Sequence, residues 1–220
     1  MARGGHRLTR FAYRSIIPSF VIRNWKVTDN SSSTLVMKHD AFRHIEIELF
    51  VRRGQLADAL DFSRQVITCA GGRDNTLTSD NQDKVQQIGM TESLTSLHGK
   101  YCHHYPICVR RVLSDDTLVS MASGEGEEWY AMSFISYARP EERAGFFLFA
   151  SFMALSMSRL FGARPHWGKV CPLTAGELVS LYPRLDLFRN IAHSLDPAGA
   201  FHNHWTAALL QPNEDPPGTS

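Results

Sequence analysis

The alternation Ile45-Glu46-Ile47-Glu48-Leu49, broken at Arg52-Arg53-Gly54 and followed at once by a helical repeat, constrains the fold of this 220-residue chain more than any other feature. Successive Cβ atoms of a strand point to opposite sides of a sheet, so strict apolar and acidic alternation predicts one buried face and one wet face. From Gln55 the period changes. Leu56, Ala59, Leu60, Phe62, Ser63, Val66 and Ile67 share one side of a helix that stops at Gly71-Gly72. A strand feeding a helix in this way is common in α+β domains.

Downstream, residues 73–100 are polar and lack a clear period, which predicts a long surface loop with at most one helical turn. Three strands are expected near 106–113, 117–122 and 130–137. Turns at Ser114-Asp115-Asp116 and Gly124-Glu125-Gly126 would join them into a meander. A long helix is expected after Pro140, a residue suited to a first helical position. It carries Phe146, Phe149, Ala150, Met153, Met157 and Leu160 as a core stripe. Two short helices over 174–181 and 185–194 follow, then a stop at Gly199 and a last helix over 204–210. The predicted class is α+β, an antiparallel sheet covered by helices on one face. Ser31-Ser32-Ser33 separates a basic segment, 1–30, from the domain, 31–210, and a tail with three prolines, 211–220, is expected to be disordered.

The net charge of +1 conceals an asymmetry, because six of the 23 basic residues precede the first acidic residue, Asp29. The remainder carries 17 bases against 22 acids, a balance that argues against nucleic acid as a partner of the main body. Arg3, Arg7, Arg10 and Arg14 recur every three or four residues, compatible with a basic amphipathic helix on an anionic lipid surface, a transit peptide, or a solvated helix against another domain. The most apolar run, 146–160, is interrupted by Ser151, Ser156, Ser158 and Arg159 and reads as short of a membrane span. Cys69, Cys102, Cys108 and Cys171 contain no CxxC pair, so free thiols in a cytoplasmic setting are expected. The histidines near them match no tetrahedral zinc spacing.

Ala163-Arg164-Pro165-His166-Trp167-Gly168-Lys169 sets an imidazole, an indole and a cation behind a rigid proline. Proline fixes its own φ and drives Arg164 toward extended geometry, and Gly168 admits close approach of a flat group. On the residues alone this is either a binding element or a turn with a half-buried tryptophan and a satisfied histidine. Leu181-Tyr182-Pro183-Arg184-Leu185 and Asp196-Pro197-Ala198-Gly199-Ala200-Phe201-His202-Asn203 follow in order.

Taken together, these three elements resemble the carboxyl-terminal end of the aldonolactone oxidases, FAD-linked enzymes of the vanillyl-alcohol oxidase superfamily that act on sugar lactones and alditols. The resemblance implies FAD as cofactor, a sugar lactone or polyol as substrate, and hydride transfer from a carbinol carbon to flavin N5. It assigns Lys169 and Arg110 as catalytic cations, Cys108 and Ser133 as substrate-binding positions, and His166, Trp167 and Asn203 to the flavin pocket. The family's Glu-x-Arg strand reads Cys108-Val109-Arg110, so the arginine is present and the carboxylate is not. Ser133 likewise stands where a histidine is expected. No glycine-rich pyrophosphate loop is present, and Gly4-Gly5 and Gly71-Gly72 are isolated pairs. The chain is therefore expected to be a substrate or cap domain whose last helices return to a flavin domain supplied in cis or in trans. The other reading is a non-catalytic remnant or binding module without flavin.

Overall fold

The computed structural model describes residues 44–124, 126–136 and 143–210, together with 11–16 and residues 19, 28 and 30. The Pro140 helix start and the 211–220 tail lie outside the described residues, as does 34–38, whose sequence Thr34-Leu35-Val36-Met37-Lys38 reads as a short strand. Of the basic segment, Ala12–Ile16 is described as a single wide helical turn.

Four antiparallel strands form one sheet in the order β2-β3-β1-β4. They are β1 (Ile45–Arg52), β2 (Cys108–Val112), β3 (Trp129–Ser136) and the two-residue β4 (Arg164–Pro165). The chain leaves β1 through a short 3-10 turn, Arg53–Gln55, into α1 (Leu56–Ala70). The later helices are α2 (Ser79–Gln87), α3 (Thr91–Leu97), α4 (Ala144–Phe161), α5 (Ala175–Leu181), α6 (Leu185–Leu195) and α7 (His204–Leu210). The class is α+β, with α1 and α4 packed on one face of the sheet.

The main core lies between that face and the two helices. Ile47, Leu49 and Val51 of β1 and Met132 and Phe134 of β3 are fully buried against Phe62 and Val66 of α1 and Phe149, Met153 and Met157 of α4. α4 is long and apolar enough to cross a membrane by length and composition, beyond what the interrupted run 146–160 predicts. Its Phe146, Phe149, Ala150, Met153 and Met157 nevertheless fill the domain core. Gly162 ends α4 in the left-handed region at φ 60°, where a side chain would be strained, and turns the chain into β4.

Two expectations fail, for identifiable reasons. Residues 73–100 contain two helices. α2 buries only Asn81 and Val85 and is capped by Thr78, whose side chain accepts from the Asn81 amide, so its polar composition hid it. Residues 117–122 form a loop and no strand. The Asp115 carboxylate accepts hydrogen bonds from the Thr117 amide, the Thr117 hydroxyl and the Ser120 hydroxyl, which winds this segment around itself. The meander thus reduces to the β2–β3 pair.

Candidate functional site

The face of the sheet away from α1 and α4 carries the polar residues. Cys108 pairs with Ser133, Ser133 with Glu48, and the His166 amide donates to the Glu48 carbonyl at 2.9 Å. Cys108, Ser133, Glu48 and His166 therefore stand in one row across the sheet. The neighbouring row runs Arg110, Ala131, Phe50 and Arg164.

Glu48 is the centre of the first row and is only 2% exposed. Its Oε1 accepts from Arg110 Nη2 and from the Ser133 hydroxyl at 2.9 Å, and Arg110 Nη2 also donates to Ser133 Oγ at 3.2 Å. Its Oε2 accepts from Lys169 Nζ at 2.8 Å, while the same ammonium stands 2.6 Å from Glu46 Oε1. Burial alone would push the Glu48 carboxyl up. Hydrogen bonds from Lys169, Ser133 and Arg110 outweigh it and hold the group below the usual carboxylate range. The strand's acidic side is accordingly covered by cations, and the wet face predicted from the alternation is corrected. Two opposed charges and a hydroxyl satisfy the carboxylate well enough to offset its loss of water.

Lys169 reaches Glu48 because β4 and the loop behind it are fastened to β1. Leu49 pairs with Pro165 and Phe50 with Arg164, and the Val170 amide donates to the Glu46 carbonyl at 3.1 Å. Arg164 secures the other side of this segment and is 3% exposed. Its guanidinium lies 4.5 Å from the Trp129 ring centroid and 4.7 Å from that of Tyr182. It donates to the carbonyls of Leu181 and Ser123 and to the Ser123 hydroxyl. Cation–π contact and three hydrogen bonds stabilise a charge that burial alone would expel.

Five of the residues expected at the site, Lys169, Arg110, Cys108, Ser133 and His166, share this face. Trp167 turns elsewhere: its indole N–H donates to the Val119 carbonyl at 2.8 Å, and its ring packs on Tyr182 and edge-on to Trp205. Asn203 caps α7, its Oδ1 accepting from the amides of Trp205 and Thr206 at 3.0 and 2.9 Å. Glu48 and Glu46 are the residues that sequence reasoning missed. Their signal was present as two carboxylates on one side of an interior strand.

The buried Glu48 carboxylate thus fixes two cations, Arg110 and Lys169, side by side on this face of the sheet. The side chain of Arg110 is 60% exposed and that of Lys169 24%. The sequence pattern of the D-arabinono-1,4-lactone oxidase family matches residues 9–209, and the chain belongs to that family. It is 70% identical over 205 residues to a long-chain alcohol oxidase of an uncultured marine euryarchaeote, a match covering 93% of this chain and 43% of the relative. An alditol oxidase of Streptomyces sp. is 50% identical over 50 residues, 23% of this chain and 12% of that protein. The L-gulonolactone oxidase of Mus musculus is 28% identical over 116 residues, 52% of this chain and 25% of that protein. The chain spans less than half the length of each of these relatives.

The residues present are compatible with a flavin beside a substrate hydroxyl: Arg110 and Lys169, each already paired with a carboxylate, would offset negative charge on a reduced flavin or an alkoxide bound against them.

Proposed function

We propose that this chain is the substrate-binding part of an FAD-linked oxidoreductase that oxidises the CH–OH group of a sugar lactone or alditol. The observation that carries the reading is the convergence of Arg110 and Lys169 on the Glu48 carboxylate. Glu48 holds both cations in place before substrate arrives, so little reorganisation is needed when negative charge develops on the carbinol oxygen. Arg110 and Lys169 orient that oxygen through their N–H groups. When bound, the flavin supplies the hydride acceptor.

A flavin-binding partner is supported by the carboxyl-terminal helices. α6 leaves Leu187, Ile191 and Leu195 exposed, and Phe201 beyond it is 89% exposed. Leu195 and Phe201 border a groove of about 1040 Å³ between α6 and α7, which Phe188, Ala192 and Ala207 also line. An apolar face of this kind on a chain less than half as long as its relatives fits docking of the flavin domain, in cis or in trans. Free thiols at all four cysteines support a cytoplasmic setting, with peripheral membrane association through the basic segment as an accompanying proposal.

Cys108 favours a second substrate, a long-chain alcohol, as in the name of the 70% identical relative. The thiol occupies the position at which the family places a carboxylate, and it is a poor acceptor for a further substrate hydroxyl. The test is to assemble the chain with a flavin-binding domain and follow flavin absorbance during anaerobic addition of a sugar lactone, an alditol and a long-chain alcohol. Bleaching by the lactone or alditol supports the first reading, and bleaching by the alcohol alone supports the second. A colourless assembly, or a yellow one bleached by none of them, would favour a binding module without flavin chemistry. The isolated chain is expected to have little or no oxidase activity.

A further inference from the structure

His166 ends the polar row, and its ring is held from an unusual quarter. The Gly168 amide donates to His166 Nδ1 at 3.0 Å. A ring nitrogen that accepts a hydrogen bond carries no proton, so in the neutral imidazole the proton resides on Nε2. Gly168 permits this approach, because a Cβ at that position would stand 3.3 Å from His166 Cε1 and 3.5 Å from Nδ1. The flat group that Gly168 approaches closely is thus the imidazole two residues before it. The one hydrogen bond to the ring seen among the described residues is this one to Nδ1, and Nε2 is left for another acceptor.

The charged groups facing the ring are Glu46 and Glu48 of β1, Arg110 of β2 and Lys169 of its own loop. Burial is the largest influence and disfavours the imidazolium, and the two carboxylates and two cations act in opposite directions. These influences together hold the His166 imidazole below its ordinary range and favour the neutral ring.

We propose that Gly168 is a positioning residue that holds His166 as one neutral tautomer, and that its Nε2–H serves as a donor to the substrate's carbinol oxygen. A nitrogen already protonated cannot take the hydroxyl proton, so His166 is excluded as the base of the reaction. It joins Arg110 and Lys169 as a third donor, one that adds no net charge. The donor role rests on the CH–OH reading of the site. The tautomer does not.

Long-range proton–nitrogen correlation on the full chain carrying ¹⁵N-histidine tests both parts at pH 7, with His166→Gln identifying the signals. The expected spectrum shows a bare Nδ1 and a protonated Nε2 for His166. Gly168→Pro, which lacks the amide proton, should yield averaged tautomers. A protonated Nδ1, an averaged pair or an imidazolium in the unaltered chain would overturn the proposal, whether or not the proline variant folds. Added tert-butanol, an alcohol with no hydrogen to lose from its carbinol carbon, should shift Nε2–H and leave Nδ1 in place. An unmoved Nε2–H would overturn the donor role. An assembled flavoprotein that oxidises none of the three alcohol classes would instead defeat the functional reading while leaving the tautomer intact.

Discussion

Lys169 Nζ and Glu48 Oε2, 121 residues apart in sequence, lie 2.8 Å from each other on the open face of the sheet. Arg110 meets the same carboxylate from the other side. Glu48→Gln keeps the shape and removes the charge, leaving Arg110 beside a neutral amide and Lys169 with Glu46 as its one remaining carboxylate in the cluster. Breaking a buried ion pair from one side costs on the order of 3–5 kcal/mol, and the partial exposure of both cations lowers the expected loss here to about 2 kcal/mol. Urea unfolding of the variant should show a reduced midpoint with an unchanged slope. An unchanged midpoint would mean that solvent already screens the cluster.

His103 gives the stability a pH dependence. Its imidazole stacks on Phe149 and meets Tyr101 Oη at 2.9 Å through Nδ1, and burial pushes its pKa down to about 4. Below about pH 6.5 the unfolded chain takes up a proton that the folded chain refuses until about pH 4. Stability should therefore fall as pH drops through that window, by up to about 3 kcal/mol from this group. His103→Gln should flatten that part of the profile in urea titrations run from pH 7 to pH 4. A profile unaltered by the substitution would assign the acid limb to other groups.

The exposed face of α6 makes a separate prediction. Ile191 and Leu195 are 42% and 79% exposed, so replacing both with serine should leave the stability of this chain within about 0.5 kcal/mol of its original value. Association with a flavin-binding domain, read by analytical ultracentrifugation, should weaken at least tenfold. Equal association by the variant would place the interface elsewhere.

Much of the fold was legible because its signals were local. α1 and α4 follow from apolar spacing, and β1 and β3 from their alternating or continuous apolar runs. α2 was not legible because it buries little, and 117–122 imitated a strand because apolar spacing does not reveal that Asp115 folds the loop upon itself. Arg110 was nameable only through family resemblance, which also supplied the role of Lys169, a cation that the 163–169 segment had already marked. Glu48, which joins them, required the strand register: alternation marks two faces but cannot say that the acidic one is covered by Arg110 and Lys169. Arg164 was likewise invisible as a buried cation, since its partners Trp129, Ser123 and Tyr182 come from distant segments.

Lys169 is proposed to act on the reacting oxygen and not merely on the stability of the cluster. Stopped-flow measurement of flavin reduction in the assembled flavoprotein, comparing Lys169 with Lys169→Ala, addresses it directly. Loss of one preorganised donor to a developing oxyanion corresponds to a slowing of on the order of 10²–10³-fold, with flavin affinity changed far less. Reduction at an undiminished rate in the variant would contradict the account and remove Lys169 from the chemistry.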